Sequence, residues 1–156
     1  MLNVAEVLPA AERVSTKPVF QIIYGSTAAT DFSKLELVTL LRAARRRNTL
    51  NGITGALLYH DRTFIQVIEG EEEIARATYA RILRDPRHGR SHTFFSHTVE
   101  QRSFNGWSMG FRTYNQEETD VEGFISFCQW QIGERVPPPN ASAAVHMLHT
   151  FRKNLR

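Results

Sequence analysis

Five polar residues stand where the sequence otherwise indicates buried strands or helix ends: Tyr24, Asn48, Gln66, Arg87 and His88. Tyrosine, glutamine and asparagine side chains can both donate and accept hydrogen bonds. If folding brings these residues together, they would line a slot suited to a flat, buried ligand rich in heteroatoms. Taken singly, each is more often a structural polar residue with a local partner. The residue types alone therefore leave both interpretations open.

The elements that must position these residues follow from the pattern of apolar side chains. Residues 19–24 are β-branched and aromatic, which predicts a buried strand, and a loop is predicted over residues 25–32. Ser33-Lys-Leu-Glu36 has the spacing of a capping box and predicts the start of a helix. That helix is expected to end near Arg47-Asn48, because Asn51-Gly52 is a turn signal.

Four further strands and a second helix complete the pattern. In the third predicted strand Phe64, Gln66 and Ile68 share one face, so a buried Gln66 needs a partner there. The second helix begins after Gly70 and stops at Asp85-Pro86. The further strands are predicted at 52–59, 63–69, 94–99 and 107–114. The order β-α-β-β-α-β-β predicts an α+β, ferredoxin-like sheet with two helices on one face.

Two flanking segments differ in character from the region between them. The apolar residues among residues 1–17 show no regular helical or strand spacing, so this segment is predicted to be a short N-terminal leader that frays. Residues 116–156 are predicted to form a C-terminal extension of two helices. Their apolar stripes must pack on the free face of the sheet or on a partner. One domain is therefore expected over residues 18–115.

The composition is that of a globular protein: 42% of the 156 residues are hydrophobic, 22% are charged, and the formal net charge is +3. No apolar run is long enough for a transmembrane helix, and the N-terminus lacks the pattern of a secretory signal. The single cysteine, Cys128, excludes an internal disulfide and a multi-cysteine metal site. We therefore expect a cytoplasmic protein without membrane association or bound metal.

Several motifs of catalytic, metal-binding and nucleic-acid-binding proteins are absent from the sequence, although hydrolytic chemistry is not excluded. There is no P-loop, Gly-x-Gly-x-x-Gly or Gly-x-Ser-x-Gly pattern, and His146 and His149 lack a third metal ligand at suitable spacing. RNA-recognition modules share the predicted topology, but residues 63–70 lack the aromatic pattern on which those modules stack bases. No nucleic acid is expected, and an RNA-binding module is kept as an alternative on topology alone.

Five sequence blocks occur in one order and with compatible spacing over residues 18–114, and together they resemble the BLUF family. The blocks are Ile22-Ile-Tyr24-Gly-Ser26-Thr-Ala28, Asn48-x-x-Asn-Gly52-Ile-Thr-Gly55, Phe64-Ile-Gln66-Val-Ile-Glu69-Gly70, Ile82-x-x-Asp85-Pro-Arg-His88 and Arg102-x-Phe104-x-x-Trp107-Ser-Met109-Gly-Phe111. Members of this family are blue-light sensors that bind flavin without a covalent bond. The resemblance implies FAD as the cofactor, with FMN or riboflavin as alternatives.

The resemblance also implies roles for individual residues at the flavin ring. Tyr24 corresponds to the tyrosine that gives an electron and a proton to the excited flavin. Gln66 corresponds to the glutamine between that tyrosine and the N5/O4 edge of the flavin, and Asn48 to the asparagine at the ring's carbonyl edge. Arg47 departs from the family pattern, because several members have asparagine or histidine there. An arginine at this position suits the ribityl or phosphate groups.

Further residues carry over with less direct roles. Trp107 and Met109 correspond to a pair on the last strand that can exchange places near the glutamine. Arg87 and His88 correspond to residues beside the ring and its tail, and Ser26 to a serine just after the tyrosine.

The function implied by the resemblance is light sensing rather than catalysis. Residues 18–115 would be the flavin-binding sensor domain, and residues 116–156 are too few for a cyclase or phosphodiesterase. The signal is then expected to leave through the last strand and the C-terminal helices to a separate effector protein, with a homo-oligomer expected as well. A ferredoxin-like, flavin-dependent oxidoreductase is the enzymatic alternative.

Overall fold

A five-stranded sheet and two helices form the described part of the chain. The computed structural model describes residues 17–104, 110–113, 146 and 150. The elements are β1 (Val19–Ala28), α1 (Lys34–Asn51), β2 (Thr54–His60), β3 (Thr63–Gly70), α2 (Glu72–Leu83), β4 (His88–Val99) and β5 (Gly110–Thr113). The strand order is β4-β1-β3-β2-β5, with β5 parallel to β2 and the other neighbours antiparallel. This arrangement confirms the predicted α+β, ferredoxin-like fold.

Two strands are longer than the sequence pattern predicted. β1 continues through Ala28, so the loop predicted over residues 25–32 is wrong for its first four residues. β4 begins at His88 rather than at residue 94. Both extensions have the same cause. Residues 25–28 of β1 pair with neighbouring strands on both sides, which satisfies their backbone groups although Gly-Ser-Thr-Ala has little intrinsic strand preference.

Helix α1 has the predicted start and a later end. Ser33 Oγ accepts a hydrogen bond from the backbone N–H of Glu36 at 3.2 Å, and the Glu36 carboxylate accepts one from Ser33 N–H at 2.7 Å. The helix ends when Gly52 adopts a left-handed conformation with φ of 65° and donates to the carbonyl oxygen of Asn48. Asn48 therefore lies within the last helical turn, where its backbone is held by this cap.

Both helices cover the same face of the sheet. Leu37 and Leu41 of α1 belong to one cluster of buried side chains together with Leu57. Ala75 of α2 belongs to a second cluster together with Ile22. The opposite face is also apolar and buried, with Ile23, Ala56 and Val67 fully covered. The two helices pack on separate parts of their face, and the central strands β1 and β3 lie beneath the space between them.

Several predictions concern residues outside the described part of the chain. They include the leader at residues 1–16, the pair Trp107 and Met109, and most of the extension at residues 116–156. Neither α1 nor α2 combines the length and apolar character that a membrane crossing requires, and the search covered the described residues alone.

Candidate functional site

A cavity of about 250 Å³ lies between α1 and α2 above the central strands. All seven of the site residues predicted within the described part of the chain line it: Tyr24, Ser26, Arg47, Asn48, Gln66, Arg87 and His88. They come from β1, α1, β3, the connection between α2 and β4, and the first residue of β4. Residues far apart in the sequence thus meet at one cavity, as the slot predicted from their types required.

The pair Tyr24 and Gln66 forms part of the cavity wall. The two residues are direct partners in the β1–β3 ladder, and both are buried. The Tyr24 hydroxyl donates a hydrogen bond to Gln66 Oε1, which supplies the partner that a buried glutamine needs. Burial raises the pKa of Tyr24 well above its ordinary value of 10. The phenol therefore stays protonated and acts as the donor in this bond.

Tyr79 of α2 packs against Tyr24 and was not predicted as part of the site. Their ring centroids are 4.8 Å apart with an interplanar angle of 58°. The Tyr79 hydroxyl is hydrogen-bonded to Thr93 Oγ1 of β4 at 2.7 Å. Because the second phenol is fixed at its far end, its ring limits the positions that the Tyr24 ring can take.

Two buried polar atoms at the cavity have no hydrogen-bond partner among the described residues: Ser26 Oγ and His88 Nδ1. The other ring nitrogen of His88, Nε2, lies 2.8 Å from the carbonyl oxygen of Ile82. A carbonyl oxygen only accepts, so Nε2 is the donor in this contact, and Nδ1 is left for a different partner. Buried polar atoms are rarely left without partners, so both atoms point to a polar ligand in this cavity.

An ion pair fixes the loop that carries Arg87 and leads into His88 at the start of β4. The Arg87 guanidinium contacts both carboxylate oxygens of Asp85 at 2.5–3.0 Å, and Arg87 N–H donates to Asp85 Oδ1 at 3.0 Å. The hydrogen bonds from the guanidinium lower the pKa of Asp85 from 3.8 to about 2. They also raise the pKa of Arg87. Arg87 is thereby held at the cavity with much of its charge compensated.

We expect Asp85→Asn to reduce stability at neutral pH and to flatten its decline in acid. Because the folded pKa is depressed, the stabilisation is complete above about pH 4 and is lost as the pH falls towards 2. The side chains are partly exposed, so about 0.5–1 kcal/mol is expected at pH 7. Thermal melts between pH 5 and 2 measure this, with the exposed Asp61→Asn as control. The same pH dependence in wild type and Asp85→Asn would contradict the assignment.

Two arginines face each other from the helices at the cavity. Arg47 of α1 and Arg81 of α2 both line it, and both are exposed to solvent. Partial burial and the nearby charge of Arg47 lower the pKa of Arg81. Two like charges held together repel each other, and a bound anion would relieve this repulsion. The arrangement suits a ligand with a phosphate group beside an uncharged ring.

Sequence reasoning missed the contribution of α2 to the cavity. Its lining residues are Thr78, Arg81 and Ile82, followed by Asp85 in the loop. Their spacing of three, one and three residues is the period of one helix face, and this signal was available in the sequence. This spacing was not decisive, because a threonine and an isoleucine one turn apart, such as Thr78 and Ile82, are equally typical of ordinary helix packing. No cluster of three or more metal-ligating side chains occurs among the described residues.

Comparison with known proteins identifies a family. The family described as "BLUF: Sensors of blue-light using FAD" matches residues 19–110. The β subunit of photoactivated adenylate cyclase from Euglena longa is 31% identical over 96 residues, which are 62% of this chain and 11% of that protein. The chain thus spans about a tenth of this relative.

Solved structures give the same result. The dark-state structure of BlrB, a BLUF protein, is 31% identical with a TM-score of 0.59, covering 64% of this chain and 75% of that chain. A Klebsiella pneumoniae BlrP1 structure is 27% identical with a TM-score of 0.70, covering 87% of this chain and 33% of that chain. Because the family match covers well over half of the sequence, the chain belongs to the BLUF family of blue-light sensors that use FAD.

Proposed function

We propose that the cavity between α1 and α2 binds the flavin ring and that Tyr24 and Gln66 are its photoactive pair. As a member of the family, the chain is a blue-light-sensing flavoprotein that uses FAD. The observation that carries the residue assignment is the hydrogen bond from the Tyr24 hydroxyl to Gln66 Oε1 at the cavity wall. It joins an oxidisable phenol to the one amide side chain on the central strand β3 that faces the cavity.

The residues present at the cavity fit a flavin. A flat ring with carbonyl and N–H groups needs both donors and acceptors, and the amides of Asn48 and Gln66 supply both. Ser26 Oγ and His88 Nδ1 are buried and available for further hydrogen bonds. The volume of about 250 Å³ is slightly smaller than that of usual ligand cavities, which are about 300–1000 Å³. It therefore suits the ring system, and Arg47 and Arg81 at the cavity would hold the phosphates of FAD.

When bound, flavin supplies absorption of blue light and an excited state that accepts an electron. Tyr24 is the donor because its phenol lies at the cavity wall and its hydroxyl proton already has an acceptor in Gln66 Oε1. An oxidised phenol is strongly acidic, so the proton can move along this hydrogen bond as the electron leaves. When the electron and the proton return to Tyr24, the phenol is restored and the protein has undergone no net chemical change.

The side chain of Gln66 can change its hydrogen bonding after the electron transfer, because its amide has an acceptor, Oε1, on one side and donors on Nε2 on the other. With Oε1 accepting from Tyr24, the Nε2 donors are directed away from the phenol. Rotation or tautomerisation of the amide exchanges which group faces the phenol and which faces the ligand. A new donor aimed at a ring carbonyl would shift the absorption to longer wavelength. The low dielectric around these buried side chains strengthens the new bond.

The proposed output runs from Gln66 to β5 and on to the C-terminal extension. β3 pairs with β2 and β2 with β5, so a change at Gln66 lies two strands from Gly110. Trp107 and Met109 precede that strand directly in the sequence. We propose that they respond to Gln66 and that the C-terminal helices relay the change to a separate effector protein or within a homo-oligomer.

Deletion of residues 116–156 should separate light detection from output. The flavin cavity is lined by described residues up to His88, so the truncated chain is expected to bind flavin and keep its red shift. The response of the effector, or the change in oligomeric state on illumination, should be lost. Difference spectra and size-exclusion chromatography in light and dark measure the two properties. A truncated chain with an unchanged light-dependent response would contradict the role given to the extension.

A further inference from the structure

A buried carboxylate on the other face of the sheet takes no part in the flavin cavity. Glu69 of β3 is fully buried. A buried charge is costly unless it is paired or fully hydrogen-bonded, and an apolar residue could fill the same space at lower cost. Glu69 therefore calls for an explanation beyond packing.

The Glu69 carboxylate accepts four hydrogen bonds from three parts of the chain. Oε1 accepts from Phe104 N–H at 2.7 Å and from Thr54 Oγ1 of β2 at 2.8 Å. Oε2 accepts from Ser103 N–H at 2.9 Å and from Gln21 Nε2 of β1 at 3.1 Å. Two successive backbone N–H groups are thus bound by the two oxygens of one carboxylate. This clamp joins the three inner strands to the chain that leads to β5.

Arg102 adds a second connection at the same place. Its Nη1 donates to Thr54 Oγ1 at 2.9 Å and to the backbone carbonyl of Glu69 at 3.2 Å. Phe104 is fully buried beside these contacts. At the other end of the intervening segment, Gly110 pairs with Ala56 of β2. Hydrogen bonds thus hold the chain at Ser103 and Phe104, before residues 105–109, and strand pairing holds it at Gly110, after them.

The clamp lies on the same two strands as the photoactive pair. Gln21 pairs with Glu69, and Tyr24 pairs with Gln66, in one antiparallel ladder. Two apolar residue pairs separate them, which corresponds to about 10 Å along the strands. A shift of β3 relative to β1 at Gln66 therefore changes the geometry at Glu69 through a short, hydrogen-bonded and well-packed connection.

We propose that Glu69 is a positioning residue that couples Gln66 to the segment carrying Trp107 and Met109. Its carboxylate holds Ser103 and Phe104 in register with β1 and β3, so a light-driven change at Gln66 alters the position of the chain entering β5. This proposal rests on the proposed function, in which Tyr24 and Gln66 respond to light. It adds the route by which that response crosses from one face of the sheet to the other.

The test uses Glu69→Gln in the full-length chain. The amide has nearly the shape of the carboxylate, but its nitrogen donates and cannot accept from a backbone N–H. The flavin red shift should persist, because Tyr24 and Gln66 are unchanged. The light-minus-dark change in Trp107 fluorescence, measured with Trp130→Phe in the background, should be lost. The rate of dark recovery should also differ from that of wild type, because Ser103 and Phe104 are no longer held by the same hydrogen bonds.

Control variants separate coupling from stability and charge. Glu71→Gln removes the same charge from an exposed residue nearby and should behave as wild type. Thr54→Val keeps the carboxylate but removes one of its donors, and it should reduce the fluorescence change by a smaller amount. It also tests the proposal if Glu69→Gln does not fold.

The outcomes distinguish this proposal from the one on which it rests. A wild-type chain without a red shift would overturn the photoactive pair itself. If wild type and Glu69→Gln both show the red shift with the same Trp107 response and recovery rate, Glu69 is a purely structural residue. The same conclusion holds if Thr54→Val alone folds and responds as wild type does.

Discussion

Replacement of Gln66 by leucine is expected to abolish the light-induced red shift while flavin stays bound. Leucine fills a similar volume but can neither accept the proton of Tyr24 nor present a donor to the ligand. The contacts proposed for Asn48, Ser26 and His88 do not involve the replaced side chain, so binding should persist. The buried Tyr24 hydroxyl then loses its acceptor, at a cost of about 1–3 kcal/mol in stability. Difference absorption spectra of the flavin-loaded variant measure the loss.

Tyr24→Phe should give the same spectral result by removing the electron and proton donor. Tyr79→Phe is the matched control, because Tyr79 is a phenol in ring contact with Tyr24 whose hydroxyl binds Thr93 instead. The control variant should retain the red shift. If Gln66→Leu and Tyr24→Phe both bind flavin and show a normal shift, the assignment of the photoactive pair is wrong.

The double variant Arg47→Gln, Arg81→Gln is expected to weaken FAD binding and leave riboflavin binding nearly unchanged. Both guanidinium groups lie at the cavity and repel each other, so a phosphate between them gains from each. Hydrogen bonds between charged groups contribute about 1.5–3 kcal/mol when shielded and less when exposed to water. Since both arginines are exposed, a loss of about tenfold to a hundredfold in FAD affinity is expected.

Titration with FAD, FMN and riboflavin separates the contribution of the phosphates from that of the ring. FAD affinity should also fall with salt concentration in wild type, and this dependence should be weaker in the double variant. Arg46→Gln is the control, because Arg46 is an exposed arginine of α1 that does not line the cavity. An equal loss of affinity for riboflavin and FAD would show that the arginines act on the ring or on the fold.

The parts of the fold that sequence reasoning predicted correctly depend on local signals. The capping box at Ser33 and Glu36 forms as the spacing requires. The alternation along β3 placed Gln66 on a buried face, and the structure confirms both its burial and its shared face with Phe64 and Ile68. In each case a single element determines the outcome, either by its own hydrogen bonds or by its period.

The parts that were missed depend on contacts between distant segments. β1 extends through Ala28 because two neighbouring strands pair with residues of low strand preference. Tyr79 belongs to the site because its ring packs on Tyr24, and Arg81 because α2 lies across the cavity from α1. The spacing on α2 did not distinguish this arrangement from ordinary helix packing. The Glu69 clamp depends on the return of residues 102–104 to the end of β3. Glu69 and Phe104 belong to two of the sequence blocks that resemble the family, and only the fold shows that a hydrogen bond joins them.

The central claim is that light changes the hydrogen bonding of this cavity through Tyr24 and Gln66. The most direct measurement is the light-minus-dark absorption spectrum of the purified full-length chain loaded with FAD. We predict a shift of the flavin band to longer wavelength that reverses in the dark and is absent from Gln66→Leu. A chain that cannot be loaded with flavin, or a loaded wild type whose spectrum does not change on illumination, would contradict the claim.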